Sequence, residues 1–474
     1  MPQISRKSAI HSIPNKSTWP LTLAALLLLC SLSAQAQLVI FNVNSNLDEV
    51  DSNLSDGLCQ TAAGTCTLRA AVMQSNLAAG IGAEIVLPAG AYVLTRASGP
   101  GADDSFGDLD FTANTPSITI RGAGAALSII DANRIDRVLT INQGRPAEIF
   151  DLTIRGGLAL DGSGNGGGIL SRGNTTLTRV LITDNDTTSD GLSLTGYGGG
   201  IYASPDGSLR LFDSRVTNNR AADGAGLFNF SQLTVNRSTI SGNMARGSGG
   251  GLLSFQQSII RNSLISGNTA NIFGGGIFYR DAAQALLHST ISGNFANRDG
   301  GGIYVLSGGV SANNISVIGN DADHDRVLPG GRGGGIFVAP TVNFFAANNV
   351  LVAKNTILNE PTTHDDCNGV LRNFTVSMLG TVAGCSSSQQ PLSLVTRTSI
   401  GPLQNNDGPT LTHALLAGSE AIDGSFANVP CDDLNGPALF DQRGAPRVFG
   451  VRCDVGAYEF GSVVDDLLFK NGFQ

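Results

Sequence analysis

The sequence of 474 residues is poor in charged residues, in lysine and in tryptophan. Charged residues make up only 14% of it and hydrophobic residues 41%, which is not the composition of a disordered chain. Its 61 glycines show no Gly-X-Y period, which excludes a collagen-like chain, and so much glycine would destabilise a coiled coil or a helical bundle. A β-rich chain with many tight corners is therefore expected.

Basic clusters and long apolar stretches are also missing. Lysine occurs only at Lys7, Lys16, Lys354 and Lys470, and the formal net charge is −9. Because phosphate binding depends on clustered lysine and arginine, we expect no nucleic acid as a partner and no electrostatic adhesion to anionic membranes. The apolar stretch Leu21–Leu29 is too short for a membrane span and no later segment is longer, so we expect no transmembrane helix.

Residues 1–36 have the features of a secretory signal peptide. Basic residues precede the apolar stretch, and Ala34-Gln35-Ala36 fits a small-x-small cleavage site. We expect the mature chain to begin at Gln37 and to be secreted or displayed on the cell surface. Lipoprotein processing at Cys30 is the alternative, which Leu29 disfavours because a small residue is required before the cysteine.

Six cysteines follow the signal peptide, and they fall into three pairs that are close in the sequence. An even number of cysteines in a secreted chain indicates disulfides. Six cysteines allow fifteen connectivities, of which we favour the local pairing. A zinc site is the alternative, but no Cys-x2-Cys spacing is present. The pairs are Cys59 with Cys66, Cys367 with Cys385, and Cys431 with Cys453.

Glycine triplets followed by apolar residues recur through the middle of the chain. Successive triplets are separated by 25 to 33 residues, and most steps are 25 or 26. A second signature, Ile-Ser-Gly-Asn or a close variant, keeps the same period, and we expect its asparagines to stack and to hydrogen-bond between repeats. The triplets end at Gly168, Gly200, Gly226, Gly251, Gly276, Gly302 and Gly335, and the stacked asparagines are Asn243, Asn268, Asn294 and Asn320.

This period selects the architecture. A propeller blade needs about 40 residues, whereas about 25 residues fit one coil of three short strands. Since stacked coils bury one continuous core, we predict an all-β fold, a parallel β-helix, right-handed by the general chirality of β crossovers. We assign the β-helix to residues 83–400, with insertions at one corner around Thr187–Thr195 and Asp321–Arg332.

An open end of a β-helix is an unpaired edge that promotes aggregation, so we expect caps. Residues 37–82 are predicted to form the N-terminal cap, with a short helix over residues 66–76 that the first disulfide pins. Residues 401–460 are predicted to be a C-terminal region with a disulfide of its own, and residues 461–474 a tail. We expect a monomer.

The N-terminal cap carries a motif of known proteins. Cys66-Thr67-Leu68-Arg69-Ala70-Ala71 resembles the Cys-Ser-Leu-Arg-Glu-Ala (CSLREA) motif at the start of bacterial secreted β-helix proteins. Thr67 and Ala70 depart from the motif, and Ala70 removes its acidic residue.

The C-terminal region carries a second resemblance. With Asp441-Gln442-Arg443-Gly444 and Cys453-Asp454-Val455-Gly456-Ala457-Tyr458-Glu459, it is similar to the choice-of-anchor Q domain, although Glu420 replaces the usual proline. Together with the pectate-lyase-like repeats, also typical of polymorphic outer membrane proteins, the resemblances imply a secreted or surface-displayed right-handed β-helix. Residues 465–474 are similar to terminal tails of some secreted gammaproteobacterial proteins, and a disordered end is the alternative.

Two groups of carboxylates are candidates for a site. The first is a candidate acidic cluster, for which capping of turn amides is the alternative to ion binding. The second group lies in the longest corner insertion, where its aspartates stand at alternate positions as calcium ligands do. However, Arg326 replaces the glycine that a calcium loop needs for its turn, and no glutamate follows at the closing position. Calcium is the one candidate cofactor, and a solvated corner is the alternative. The acidic cluster is Asp103, Asp104, Asp108 and Asp110, and the calcium candidates are Asp321, Asp323 and Asp325.

No catalytic residues are predicted. The histidines are scattered, and the sequence contains no G-x-S-x-G, HExxH or P-loop motif. Arg121, Arg155 and Arg179 recur near strand ends, where they either neutralise uronic acids or are simply solvated. Two functions are therefore open. We favour a surface scaffold that binds a polysaccharide or a cell-surface ligand as an adhesin does, and the alternative is a calcium-assisted lyase or a hydrolase of acidic polysaccharide.

Overall fold

A computed structural model describes residues 38–78, 82–97, 104–112, 117–159, 164–188, 195–324, 331–357, 365–373, 375–397, 399–425, 431–433 and 436–464. Within these ranges the chain winds into stacked coils whose strands form long parallel sheets. The predicted parallel β-helix is therefore confirmed. Among the described residues, no helix combines the length and the apolar character needed to span a bilayer.

Sheet A begins at the N-terminal end of the β-helix, and successive coils each contribute one strand to it. It contains β1 (Val39–Asn42), β2 (Ala83–Leu87), β5 (Ile118–Gly122), β8 (Ala147–Phe150), β11 (Asn174–Thr178), β14 (Ser208–Phe212), β18 (Gln232–Asn236), β22 (Ser258–Arg261), β26 (Ala283–Leu287), β30 (Gly309–Asn313) and β34 (Phe344–Asn348). Val39 of β1 pairs with Ala83 of β2, so the stack of strands begins before residue 83.

Sheet B lies one corner further along each coil and is also parallel. It contains β3 (Gly90–Val93), β6 (Ser128–Asp131), β9 (Thr153–Arg155), β12 (Leu181–Thr183), β15 (Arg215–Thr217), β19 (Thr239–Ser241), β23 (Leu264–Ser266), β27 (Thr290–Ser292), β31 (Ser316–Ile318), β35 (Val350–Ala353), β38 (Ser377–Leu379) and β40 (Ser393–Leu394). The short sheet D follows, with β16 (Arg220–Ala221), β20 (Met244–Ala245), β24 (Thr269–Ala270), β28 (Phe295–Ala296), β32 (Asp321–Ala322) and β36 (Thr356–Ile357).

Sheet C consists of the strands that follow the glycine triplets and the equivalent strands of earlier coils. It contains β4 (Leu109–Phe111), β7 (Leu139–Ile141), β10 (Ile169–Ser171), β13 (Ile201–Ala203), β17 (Leu227–Asn229), β21 (Leu252–Ser254), β25 (Ile277–Tyr279), β29 (Ile303–Val305) and β33 (Ile336–Val338). The long strand β37 (Cys367–Asn373) pairs with β33, with β34 and with β39 (Cys385–Ser387), and thereby joins sheets A and C into one sheet.

Strand stacking builds the core because each buried side chain lies above its equivalent in the next coil. In sheet A, for example, Ile85, Ile120, Ile149 and Leu177 are in register, and each is at most 1% exposed. Such apolar burial is the main stabilising contribution to the fold, at about 25 cal/mol per Å² removed from water. No single coil could bury these side chains alone.

The predicted asparagine stack is confirmed and is longer than the sequence signature. Each carboxamide donates to the next one, with Nδ2–Oδ1 distances of 2.9 Å from Asn243 to Asn268 and from Asn268 to Asn294. The ladder ends where Asn355 donates to Asp366 at 2.8 Å. A carboxylate suits this end because it only accepts, and its second oxygen accepts from Thr381 N. In chain order the ladder is Asn185, Asn219, Asn243, Asn268, Asn294, Asn320, Asn355 and Asp366.

The ladder also explains why the repeats need glycine. The first glycine of a triplet turns the chain with a positive φ, as at Gly249 (φ +70°). At the third, Gly251, a Cβ atom would lie 2.9 Å from Nδ2 of Asn268. The glycines are therefore required both by the corner and by the asparagines packed against it.

The N-terminal helix, α1 (Leu68–Leu77), begins after Thr67, whose hydroxyl accepts from Ala70 N at 3.1 Å. Leu68, Ala71 and Val72 are buried in the core, as their spacing predicts. The first disulfide, Cys59–Cys66, is formed immediately before the helix. The predicted helix and its disulfide are confirmed.

The C-terminal region folds back along sheet B. Its own strands form two antiparallel pairs, β41 (Ile400–Gln404) with β42 (Thr412–Leu415) and β43 (Asp432–Asp433) with β44 (Gly436–Pro437). Apolar side chains of both parts, including Ile318, Leu351, Leu415 and Val455, form a second buried cluster. The remaining predicted disulfides, Cys367–Cys385 and Cys431–Cys453, are also formed.

Candidate functional site

The outward-facing side chains of sheet C form one row that is continuous over ten coils. In each strand of three residues the middle side chain points away from the interior, and the register pairs it with the middle residue of the next coil. We call these residues the sheet C row. In chain order they are Asp110, Thr140, Leu170, Tyr202, Phe228, Leu253, Phe278, Tyr304, Phe337 and Asn368.

Aromatic rings in the middle of the sheet C row stack on one another. The centroids of Tyr202 and Phe228 are 5.5 Å apart, those of Phe278 and Tyr304 5.1 Å, and those of Tyr304 and Phe337 4.9 Å. Phe228 and Phe337 are only 4% exposed although they point away from the core. The rings therefore form a second apolar layer outside the sheet, and ring edges rather than ring faces remain available to solvent.

Partly exposed rings and arginines lie on both sides of this layer. On one side Phe230 and Phe255 stack at 4.4 Å, and the Arg280 guanidinium lies 5.2 Å from the centroid of Phe255. On the other side the Arg332 guanidinium lies 4.8 Å from the centroid of Phe337. The two arginine side chains are 48% and 55% exposed. This face therefore offers apolar edges and guanidinium donors along the β-helix.

Sequence reasoning did not identify the sheet C row as a site, although its signal is present in the repeats. The second residue after each triplet is Leu170, Tyr202, Phe228, Leu253, Phe278, Tyr304 or Phe337. Five of these seven positions are aromatic, in a chain with 6% aromatic residues. Aligning the triplets would have revealed the enrichment, but only the strand register shows that the rings are adjacent.

The acidic cluster lies at the N-terminal end of the sheet C row. Asp108 accepts from Thr140 Oγ1 at 2.6 Å, and its carboxylate lies 3.7 Å from Nε of Arg137. Asp104 accepts from Asn76 Nδ2 at 2.6 Å. The structure therefore brings Asp104, Asp108 and Asp110 together, whereas the fourth predicted member, Asp103, lies outside the described residues.

Burial and mutual repulsion disfavour the charged form of these carboxyl groups. Burial, together with the charges of Asp108 and Asp104, raises the pKa of Asp110 to about 7. Burial also raises the pKa of Asp108, against the lowering effect of Arg137 and of the hydrogen bond from Thr140. A carboxyl group that titrates near neutral pH is able to exchange a proton, which is the chemical capability of this cluster.

Replacing Asp110 by asparagine is expected to flatten the dependence of stability on pH. Since the pKa of Asp110 is raised from 3.8 to about 7 on folding, the folded state binds more protons than the unfolded state between these values. Its contribution is therefore largest below pH 4 and is lost as the pH rises to about 7. The melting temperature of the D110N variant should fall less than that of the wild type between pH 4.5 and 7.5. Asp206→Asn, at an exposed position, is the control, and parallel profiles for wild type and D110N would contradict the assignment.

Only two of the three calcium candidates, Asp321 and Asp323, lie within the described residues. Asp321 is 4% exposed, accepts from Thr356 Oγ1 at 2.8 Å, and lies 3.3 Å from Nδ1 of His324. Asp323 is buried and has a positive φ of 57°. Asp325 lies outside the described residues. Within the described part of the chain, no group of three metal-ligating side chains is present, and calcium here stays a prediction.

The three arginines near strand ends pair with carboxylates of the preceding coil. Arg121 contacts Glu84 at 2.8 Å, and Arg155 contacts Asp131 at 2.8 Å. The third, Arg179, binds Asp151 with both nitrogens of its fork, at 2.6 and 2.7 Å. These arginines therefore link adjacent coils, and the binding of uronic acids by them stays a prediction. Their side chains are 36 to 45% exposed, so each pair contributes only about 0 to 1 kcal/mol.

Motif residues of the C-terminal region connect it to the β-helix. The carboxamide of Gln442 accepts from Thr290 Oγ1 at 2.6 Å and donates to the carbonyl oxygen of Ser263 at 3.2 Å. Arg447 donates to Oδ1 of Asn314 at 3.1 Å. Since Ser263, Thr290 and Asn314 belong to the coils, Gln442 and Arg447 are structural links rather than exposed binding groups.

The charged motif residues are buried together. Arg447 and Glu459 are at most 1% exposed, and Nε of Arg447 lies 3.9 Å from the carboxylate of Glu459. Burial raises the pKa of Glu459 to about 8 and lowers the pKa of Arg447. Asp441 binds the guanidinium of Arg443 at 2.7 Å. These groups connect the C-terminal region internally and to the coils, although only Nη2 of Arg447 makes hydrogen bonds and its buried Nε and Nη1 have no hydrogen-bond partner among the described residues.

Comparison with protein families supports the architecture. Residues 117–322 match a family model described as a right-handed beta helix region. Comparisons with curated proteins and with solved structures give no match. The matched range extends from β5 to β32 and ends before the last glycine triplet, which closes at Gly335. Together with the parallel sheets, it identifies the fold of this chain as a right-handed parallel β-helix.

Proposed function

We propose that this protein is a secreted or surface-displayed β-helix scaffold that binds a polysaccharide or another elongated cell-surface ligand along sheet C, without catalysis. The observation that carries the proposal is the sheet C row, in which one side chain per coil repeats in one direction. A polymer that lies along the row passes one of these side chains at each coil, about 4.8 Å apart.

The chemistry of this face suits a carbohydrate. Ring edges and the partly exposed Phe230 and Phe255 offer apolar contact to the C–H groups of a sugar. Arg280 and Arg332 offer hydrogen-bond donors to hydroxyl or carboxylate groups. Arg332 also pairs with Asp299 at 3.0 Å, which orients its guanidinium over the ring of Phe337.

Binding is tested with immobilised polysaccharides, both acidic and neutral, and the purified mature chain. The double variant Arg280→Gln/Arg332→Gln is expected to bind at least tenfold more weakly than the wild type, because it removes both guanidinium groups from this face. Arg210→Gln, which replaces an exposed arginine on sheet A, is the matched control and should bind normally. Equal binding by the double variant and the wild type, or no binding to any polysaccharide, would count against sheet C as the binding face.

The alternative function, cleavage of an acidic polysaccharide, is favoured by one observation. Burial and neighbouring carboxylates raise the pKa of Asp110 to about 7, and Asp110 lies in the same cluster as Asp108 and Arg137, at the end of the sheet C row. A carboxyl group with this pKa is suited to general acid or base catalysis. Asp110, unlike an aspartate at the surface, would exchange a proton with a substrate bound along the row.

Catalysis is tested by incubating the mature chain with acidic polysaccharides, with and without calcium. Ultraviolet absorbance detects the unsaturated products of a lyase, and a reducing-end assay detects hydrolysis. Turnover that disappears in D110N and in Asp108→Asn would replace the scaffold proposal by the enzymatic one. The absence of turnover in the wild type, together with retained binding, supports the scaffold.

Secretion and a role for calcium belong to the same proposal. Residues 1–36 precede the described residues, and N-terminal sequencing of the exported protein should begin at Gln37 if they are a cleaved signal. Calorimetry with calcium tests the loop from Asp321 to Asp325. No heat of binding and an unchanged melting temperature would remove calcium from the proposal.

A further inference from the structure

The C-terminal region has an inverted distribution of polar and apolar side chains. Its charged residues Asp441, Arg447 and Glu459 are at most 1% exposed. Nearby, Leu439 is 71% exposed and Val451 is 83% exposed. Large apolar side chains normally occupy the interior and charged side chains the surface. An apolar surface of this kind on a folded region marks a contact that the described residues do not include.

The exposed residues belong to neighbouring segments, and we call them the apolar patch. Arg447 N donates to the carbonyl oxygen of Leu439 at 2.9 Å. Leu439 therefore lies close to Val448, which follows Arg447 in the chain. A Cβ atom on Gly461 would lie 2.7 Å from the ring of Phe449, so Phe449 covers the segment that leads to Val463. The apolar patch consists of Leu439, Phe440, Val448, Phe449, Val451 and Val463, each 49 to 83% exposed.

These side chains cannot turn inward, because carboxylate side chains hold the backbone between them through hydrogen bonds. Phe449 N donates to Oε1 of Glu459 at 3.0 Å, and Val451 N donates to Oδ1 of Asp423 at 2.9 Å. Rotating this segment would break these bonds, and at the buried Glu459 the loss of a hydrogen bond costs about 1 to 3 kcal/mol. The exposure of the apolar patch is therefore built into this part of the fold.

We propose that residues 465–474 of the same chain cover the apolar patch. This segment lies outside the described residues and begins two residues after Val463, which is itself part of the patch. It contains Leu467, Leu468, Phe469 and Phe473, and these residues match the patch in chemistry. Ten residues span up to about 33 Å when extended, which is enough to cross a two-segment surface. Being tethered, the segment has an effective concentration in the millimolar range, which no free partner matches.

The experiment compares the full mature chain with a variant that lacks residues 465–474 and with the point variant Leu468→Asp/Phe469→Asp. Hydrogen–deuterium exchange over residues 439–451 and the fluorescence of an apolar dye are measured for each. Both altered chains are expected to exchange faster in this range and to give severalfold higher dye fluorescence, with unchanged circular dichroism. Asp465→Asn/Asp466→Asn is the matched control, because it alters the same segment but keeps its apolar residues, and it should behave as the wild type.

A direct contact is tested by a second variant pair, Val451→Cys with Phe469→Cys in one chain. Covering by the segment predicts an intramolecular crosslink between these positions, detected by mass spectrometry of the unreduced protein. Identical exchange and dye fluorescence in all chains, together with no crosslink, would overturn the proposal. A concentration-dependent dimer, or binding to phospholipid vesicles, that Phe449→Asp abolishes would also overturn it and would assign the patch to a second copy or to a lipid surface.

Discussion

Replacing Asn268 by leucine is expected to lower the free energy of unfolding by about 3 to 5 kcal/mol, since each buried group left without its hydrogen bond costs about 1 to 3 kcal/mol. Oδ1 of Asn268 accepts from both the backbone N and Nδ2 of Asn243, and its Nδ2 donates to the carbonyl oxygen of Ile240. Leucine has a similar volume but satisfies none of these groups. The effect should appear as a lower midpoint in urea and a lower melting temperature.

An exposed asparagine of the same coil is the control for this prediction. Asn271 lies just beyond the ladder and is exposed, so Asn271→Leu should change the free energy of unfolding by no more than about 0.5 kcal/mol. If both variants unfold at the same urea concentration, hydrogen bonding along the ladder does not stabilise the coils. A large loss only for Asn268→Leu would show that the ladder holds the coils together.

Replacing Arg69 by methionine is the second change with a large expected effect. Arg69 is completely buried, and its Nε lies 2.6 Å from Oδ1 of Asp48. The guanidinium also donates to the carbonyl oxygens of Asp104, Gly107 and Asp108. Removing one partner of a buried ion pair typically costs about 3 to 5 kcal/mol, because the other charge stays buried without compensation.

The expected result is local, because Arg69 connects helix α1 to the loop that carries the acidic cluster. Limited proteolysis of Arg69→Met should cut between residues 96 and 112 earlier than in the wild type, and the melting temperature should fall. Arg69→Lys should rescue little, because a single ammonium group cannot bind Asp48 and three carbonyl oxygens together. Arg121→Met is the control, since it removes only the exposed pair with Glu84. Equal resistance of all four chains to protease would refute the role of Arg69.

The sequence was sufficient for those features that repeat. The interval between Gly251 and Gly276 is one turn of the coil, and the same interval places Asn243 above Asn268. Local contacts of this kind depend only on the residues of adjacent repeats, so a period of 25 or 26 predicts them. The disulfide partners are similarly close in the chain, with separations of 7, 18 and 22 residues.

Features that depend on side-chain direction or on distant segments required the tertiary structure. The rings at Tyr304 and Phe337 are visible in the sequence, but only the strand register makes them adjacent and directs them away from the core. Arg121 was expected to face solvent or a ligand, yet it contacts Glu84 of the preceding coil because strand stacking brings residues 37 positions apart together.

What the sequence by itself determined is the β-helix, its period and its asparagine stack, because each follows from contacts between neighbouring repeats. What only the tertiary structure decided is where nonrepeating side chains meet. Gln442 binds Thr290 across 152 residues, and Arg69 reaches Gly107 across 38. No period relates such residues, so their contacts arise only when the coils, the cap and the C-terminal region pack against one another.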